Sequence, residues 1–351
     1  MSNLQYSVGL DYHTSFVQVC ILDPEGKVKS NFKAENHAQT IIHKLKTLSP
    51  DAKFCAGIEA CCGATDLADE LKKLGLDITL AHASTVARLK KSPDKSDYTD
   101  ARMLADLVRV GWLPAVWLPD HSTRQLRMLV RSRQKLAESH KSTKLRITAM
   151  LRSERVKLTE KPWTKAWLEA VSNCKRFGSQ GLFVINSLLQ QIEFLKQQMK
   201  AVEEQMFQAT LHDGLVQYLL TIKGIGLVTA VILRAELGNA TRFNNGKQMA
   251  HYCGLSPCNA SSGKKQSDSG LIHAANNLLR TTLIELAHRL VRYDERWQEL
   301  YEKLKFNGKP ICVAICAIAN RFTRCLHHKM KEVEIRLEEA SQKKTEIERN
   351  K

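Results

Sequence analysis

No run of about 18 apolar residues occurs anywhere in the 351-residue chain, which leaves no candidate for an ordinary membrane-spanning helix. Met1-Ser2-Asn3-Leu4-Gln5 lacks the basic n-region and hydrophobic core of a leader and passes directly into a strand pattern, so the expected location is cytoplasmic. In that compartment the ten cysteines are expected as thiols and not as a disulfide framework. Cys312 and Cys316, set among Ile311, Val313, Ala314, Ile315 and Ile318, read as core, and the spacing of His251, Cys253 and Cys258 matches no familiar zinc knuckle. Acids are scarce as well: 36 Asp and Glu stand against 53 Lys and Arg, a formal charge of +17. Solubility does not require such an excess, and a polyanionic partner explains it, nucleic acid ahead of an anionic membrane surface.

What is present begins with enough apolar residues, 43% of the chain, for two or three domains with real cores. Apolar alternation marks strands over Gln5 to Asp11, Phe16 to Leu22 and Lys27 to Phe32, the last two joined by a turn at Asp23-Pro24-Glu25-Gly26, and together they form an antiparallel meander. A helix over Ala38 to Leu48, a strand over Lys53 to Ile58 closing on Glu59, a helix over Thr65 to Leu74, a strand over Asp77 to Leu80 and a helix from about Ser84 to Lys90 follow. The stretch Ser96-Asp97-Tyr98-Thr99-Asp100-Ala101 then heads another helix, with Asp97 and Asp100 on one face above Ala101, Leu104 and Val108. Either Ser96 or Asp97 can serve as its N-cap. This order of elements is that of an α/β ribonuclease H-like (RuvC-like) fold, in which acids of the first strand, the fourth strand and a late helix converge. Asp11, Glu59, Asp97 and Asp100 fall on those elements. Four gathered carboxylates repel one another unless cations sit among them, and two divalent ions about 3.5–4 Å apart would satisfy the charge and serve phosphodiester chemistry. Val8-Gly9-Leu10-Asp11 also opens actin-like and sugar-kinase ATPases, but Tyr12-His13-Thr14-Ser15 is a poor glycine-rich phosphate loop.

The middle of the chain is basic and helical. Arg124, Arg127, Arg131, Arg133, Lys144 and Arg146 lie in a stretch to Lys165 with few acids, and they are expected to meet phosphates. Ile185, Leu188, Ile192, Leu195, Met199, Val202 and Met206 alternate by three and four, which implies a coiled-coil seam and favours self-association over docking within the chain. Further on, Lys223-Gly224-Ile225-Gly226 has the pattern of a helix-hairpin-helix turn whose amides can hold a phosphate. Ser261-Ser262-Gly263-Lys264-Lys265 combines an exposed hydroxyl, a flexible backbone and two cations, the needs of a nucleophile that attacks DNA, although the same composition makes an ordinary polar loop. Helices are read over Asn276 to Arg292 and Ile311 to Phe322, and the doubly charged tail from Lys329 reads as a solvated helix or disordered.

Taken in order, Gly9-Leu10-Asp11, Ile58-Glu59-Ala60, Lys95 to Ala101, Gly224-Ile225-Gly226, Arg242-Phe243, Gly254-Leu255-Ser256-Pro257 and Ser262-Gly263 make the chain resemble the DEDD transposases of insertion sequence family 110, in particular its 1111 subgroup, relatives of the Piv-type DNA invertases. The resemblance implies a magnesium-binding RuvC-like domain over residues 1–155 with Asp11, Glu59, Asp97 and Asp100 as ligands, a helical coiled-coil linker over 156–215, a mostly α-helical transposase domain over 216–328 and a charged tail over 329–351. It also implies two Mg2+ ions per site and a serine, Ser262 ahead of Ser261, that links covalently to a DNA phosphate. Double-stranded DNA, a structured guide RNA and further copies of the chain are the implied partners, with no membrane. A junction-resolvase-like nuclease using water, or a non-catalytic nucleic-acid-binding protein, are the alternatives. One departure stands out: Gly270-Leu271-Ile272-His273-Ala274-Ala275-Asn276 replaces the basic, glycine-containing run usual in the family.

Overall fold

Val8 and Leu10 alternate with Gly9 and Asp11 along the first strand, β1 (Gln5–Tyr12), and this period of two assigns each side chain to a layer. The structure, a computed structural model, describes residues 5–89, 96–259, 268–272 and 275–349, and the chain divides into two compact units, Met1–Asp120 and His121–Lys351.

In the first unit β1 is followed by β2 (Phe16–Leu22), β3 (Val28–Glu35), α1 (Ala38–Leu48), β4 (Lys53–Glu59), α2 (Ala64–Lys73), β5 (Asp77–Ala81), α3 (Ala83–Leu89), α4 (Asp97–Arg109) and the two-residue β6 (Ala115–Val116). The sheet order is β3-β2-β1-β4-β5-β6, with β1, β4 and β5 parallel and the remaining pairs antiparallel. Val8, Leu10 and Ile58 face α1 and α2, where they share a core with Ile41, Leu45, Leu67 and Leu71. The opposite face is covered by α4, whose Ala101 and Ala105 bury against Cys20 and Leu22. Small residues permit this: a Cβ on Gly9 would collide with the backbone of Ala101 and Ala105, so helix and strand approach nearly backbone to backbone. Gly57, opposite Gly9 on β4, meets the same helix at Val108, whose Cγ2 would lie 2.6 Å from an added Cβ. The meander, the parallel units and the helix with its two acids are as the sequence leads one to expect. The short β6 went unread.

The second compact unit begins at His121. Its first helix, α5 (His121–Ser153), is 33 residues long and belongs to this unit because Leu126, Val130, Ile147 and Leu151 bury in its cores. After α6 (Lys165–Ser172), the equally long α7 (Gly178–Thr210) returns alongside α5, antiparallel. Ile185, Leu188 and Ile192 pack with Ile147, Leu151, Trp167 and Val171, and Met206 joins the core that holds Leu126 and Val130. The three-four seam thus finds its partner within the chain, a correction to the reading that favoured a second copy there. Periodicity specifies that a stripe is covered but not by which helix.

Then come α8 (Gly214–Leu220), α9 (Leu227–Leu237), α10 (Gly246–Tyr252), the paired strands β7 (Pro257–Asn259) and β8 (Asp268–Leu271), α11 (Asn277–Tyr293), α12 (Glu295–Phe306) and α13 (Ile311–Arg349). One expectation changes here and one is narrowed to the first of its alternatives, a helix. Cys312 is exposed together with Ile311 and Val313, so the first turn of α13 is not core, whereas Ala314, Ile315 and Ile318 are buried. The charged tail is the continuation of α13: Met330 is fully buried, and Glu334 accepts hydrogen bonds from the amides of Ala240 (2.9 Å) and Thr241 (3.3 Å).

The close approach at Gly9 gives a direct test. Gly9→Ala should lift α4 from β1 at a cost of about 3 kcal/mol. Hydrogen exchange on the full chain should show β1 and α4 amides opening faster with α5 and α7 unchanged; undisturbed β1 and α4 amides would refute the packing argument.

Candidate metal centre

Leu10 on β1 stands opposite Ile58 on the parallel β4, so Asp11 and Glu59, one residue further along each, end neighbouring strands at one edge of the sheet. By alternation both share the face of Gly9 and Gly57, which is the face α4 covers. The start of α4 is fixed by a capping box. Ser96 Oγ accepts from the Thr99 amide at 3.3 Å, and Thr99 Oγ1 accepts from the Ser96 amide at 3.2 Å. Because Ser96 takes the cap, the Asp97 carboxylate is not used for it. Asn31 of β3 accepts from Gln18 Nε2 at 2.6 Å and donates to the Tyr98 carbonyl at 3.2 Å, so two strands hold the first helical turn in place.

These constraints bring two of the four expected acids together, with a histidine between them. His13 Nε2 is 3.2 Å from Asp11 Oδ2 and 3.3 Å from Asp97 Oδ1. One ligand atom from each of Asp11, His13 and Asp97 lies within 4.8 Å of the others. Asp11 is the sheltered member, its side chain 14% exposed against 39% for Asp97. Lys33 Nζ approaches Asp97 Oδ2 at 3.8 Å and lies over the Phe16 ring, which in turn stacks on His13. Glu59 and Asp100 stand outside this group of mutually close atoms, although Asp100 shares the first turn of α4 with Asp97. The Cys61 thiol senses the strand acids: burial pushes its pKa up, and the charges of Glu59 and Asp11 push it further.

Two carboxylate oxygens and an imidazole nitrogen within reach of one another suit a divalent cation. The oxygens match Mg2+ or Mn2+, and the nitrogen favours a transition metal such as Mn2+ over Mg2+. His13 escaped the sequence reading, which treated Tyr12 to Ser15 only as a failed phosphate loop. The available signal was its spacing, since a residue two beyond Asp11 returns to the same side as the strand ends.

The residues expected to meet nucleic acid divide into two sets. Arg131 makes paired hydrogen bonds to Glu236 at 2.9 and 3.1 Å, Arg127 donates to the carbonyls of Ala235 and Glu236, and Arg133 bonds Glu203 at 2.9 Å. Glu236 is almost fully buried and also accepts from Asn276 at 2.8 Å, so these three arginines take part in the packing of the helical unit, a role their sequence reading did not give them. The Lys144 ammonium lies 4.5 Å over the Trp163 ring. Arg146 and Lys223 are exposed, and Arg124 is half-buried. Gly224 has φ +86°, which a side chain would strain, and its carbonyl accepts from Arg289 at 2.9 Å, while Gly226 caps α9 with open space around it. Arg242 is stacked over the rings of Phe243 and Tyr252, a structural role for that motif. Cys253 is fully buried in the core of the helical unit, and burial raises its thiol pKa to about 12. Ser261, Ser262, Lys264 and Lys265 lie outside the described residues, between β7 and β8 in sequence.

A mixed sheet that gathers carboxylates and an imidazole where its strands end, followed by a strongly basic helical half, is the arrangement expected of the class of α/β proteins that perform divalent-ion chemistry on phosphodiesters. Within that class the comparisons are specific. Residues 8–155, which contain all four acids, match the DEDD transposase model for IS110, and residues 216–302, which contain both serines, match the model described as transposase of the IS116/IS110/IS902 family. Together the two matches take in more than half of the chain, and the chain belongs to the IS110/IS116 family of DEDD transposases. It is 25% identical to the transposase for insertion sequence element IS1111A of Coxiella burnetii, over 90% of this chain and 86% of that one. It is 24% identical to the transposase for IS1328 of Yersinia enterocolitica, over 83% and 90%. The y4qE chain of Sinorhizobium fredii is 28% identical over 62% of this chain, a match that spans only about half, 53%, of that protein.

Asp97→Asn should weaken Mn2+ binding to the full chain by roughly tenfold or more, read by titration calorimetry or the Mn2+ spin-resonance signal. Asp106→Asn, on the same helix but paired with Arg109 at 2.8 Å, should leave it unchanged. Equal losses in both variants would remove Asp97 from the ligand set.

Proposed function

We propose that this transposase is a site-specific DNA recombinase whose four acids, Asp11, Glu59, Asp97 and Asp100, hold two Mg2+ ions, and whose nucleophile is Ser262, with Ser261 as the less favoured choice. The observation that carries the reading is the convergence of Asp11 and Asp97, two of the four, with His13 between them. Family membership supports divalent-ion use and action on DNA. The RuvC-like assignment of the first unit rests on its strand order, which begins with an antiparallel meander and continues through parallel strands.

When bound, divalent ions supply charge neutralisation at the reacting phosphate and help a hydroxyl oxygen to attack. Asp11 and Asp97 would hold them, with Glu59 and Asp100 completing the set and His13 as an added donor. The serine hydroxyl gives up its proton as its oxygen bonds to phosphorus, one deoxyribose oxygen leaves and takes up a proton, and a phosphoserine ester remains. That ester retains the energy of the broken phosphodiester, so a second deoxyribose hydroxyl can displace the serine and rejoin a strand without a nucleotide cofactor. Exposed cations such as Arg146, Lys223, Lys264 and Lys265 supply phosphate contacts. A structured guide RNA in the manner of the Piv-related, 1111-type elements selects the DNA, and two or more copies of the chain assemble to exchange strands.

A phosphoserine bond to DNA is the distinguishing product. Incubation with element-end DNA and Mg2+ followed by denaturing electrophoresis should show a protein–DNA adduct that is lost with Ser262→Ala. Hydrolysed DNA without any adduct in the unaltered protein would instead establish a water-using nuclease, and full activity in Asp11→Asn would exclude a catalytic role for the acids.

A further inference from the structure

Among the described residues only Arg155 and Trp163 combine a side chain with positive φ, 53° and 69°. Arg155 has a local reason: it ends α5 with its amide bonded to Arg152 O and the next amide bonded to Leu151 O, the position a glycine usually fills. Trp163 has one too: it is the third residue of a turn from Lys161 to Thr164, with Pro162 before it and the Thr164 amide bonded to Lys161 O at 3.3 Å. It precedes Thr164, which caps α6, and a bulky residue in the left-handed region is strained by about 1–3 kcal/mol. The segment between these two residues forms one wall of a cavity of about 570 Å³, within the range of roughly 300–1,000 Å³ typical of small-ligand sites. Trp163 and Trp167 line it, their ring centroids 4.5 Å apart, together with Arg152, Lys161, Thr148 and Glu160. Lys144 extends its ammonium to 4.5 Å from the Trp163 ring.

We propose that this cavity receives one unstacked base of a single-stranded nucleic acid, the base lying against Trp163 and the adjoining phosphate meeting Arg152, Lys161 and Lys144. Every base has a π-face and every nucleotide an anionic phosphate, and a tryptophan in the wall of a cavity that also holds Arg152 and Lys161, with Lys144 over its ring, answers both. The ammonium of Lys144 already occupies the ring face electrostatically, and its flexible stem lets it move to the phosphate when a base arrives. Neither the acidic centre nor Ser262 takes part, so this inference stands or falls without them.

Short single strands carrying 5-iodouridine, one set DNA and one set RNA, are irradiated with the full-length protein and the cross-linked peptide is sequenced. Attachment at Trp163 is expected, and the strand type that labels it identifies the source of the base. Trp163→Gly removes the ring while glycine accepts the same φ without strain, and it should weaken single-strand binding about tenfold with blunt duplex binding unchanged. Arg152→Ala with Lys161→Ala should lower affinity and flatten its salt dependence, a second measurement should the glycine variant fold poorly. Cross-links confined to other peptides, unchanged single-strand binding in both variants, or equal losses on single strands and blunt duplex would overturn the proposal.

Discussion

The candidate centre depends on the contact between Gly9 and the backbone of α4. No side chain fits between β1 and Ala101, so the helix lies as low on the sheet as two backbones permit. That depth sets the height of the helix's first turn over the strand ends, and hence the distance from Asp97 to Asp11. Ala101 and Ala105 repeat the same economy on the helical side, where a larger residue would prop α4 away as surely as a methyl on Gly9. The capping box at Ser96 and the Asn31 hydrogen bond to Tyr98 then fix where the helix begins, the remaining freedom that could carry Asp97 off the edge.

Bringing two carboxylates this close has an electrostatic cost. At about 4 Å two unit charges repel by roughly 4 kcal/mol in a partly screened protein surface. Lys33 on the Asp97 side offsets part of that repulsion, and His13 stands between the two carboxylates. A divalent cation held between the two carboxylates would stabilise the arrangement further. The gradient of exposure fits this use: Asp11 is fixed and sheltered at the strand end, and Asp97 faces solvent, the direction from which a phosphate must come.

The first unit was readable because local periodicity and local chemistry carry its information. β2 and α1 have the very bounds that alternation and the helical period suggest, Phe16–Leu22 and Ala38–Leu48, and the acids sit on the elements where the strand order puts them. What the sequence hid were choices of partner. The stripe from Ile185 to Met206 announces burial, and only the fold reveals that α5 supplies it. Cys312 looked apolar by its neighbours, but the helix turns its first residues outward, so composition misled where phase decided. His13 escaped notice because its meaning depends on Asp97, which lies more than eighty residues later in the chain.

Charge in the helical unit obeys two different economies, and the structure separates them. Arg127 and Arg131 converge on Glu236, a carboxylate nearly sealed from water, and removing either partner of such a pair strands a buried charge. Those cations contribute to folding through short, fixed hydrogen bonds. Arg146 and Lys223 are exposed, and a long-stemmed cation in water gains little from any neighbouring acid. Its interaction becomes valuable only opposite a phosphate array that releases condensed counterions. Arginines matched against glutamates scarcely enter the net charge of +17, so the excess is carried by other cations. This separation also predicts the shape of the dependence on ionic strength: added salt weakens the outer contacts long before it loosens the arginine–glutamate core, so binding is lost while the helical unit remains folded.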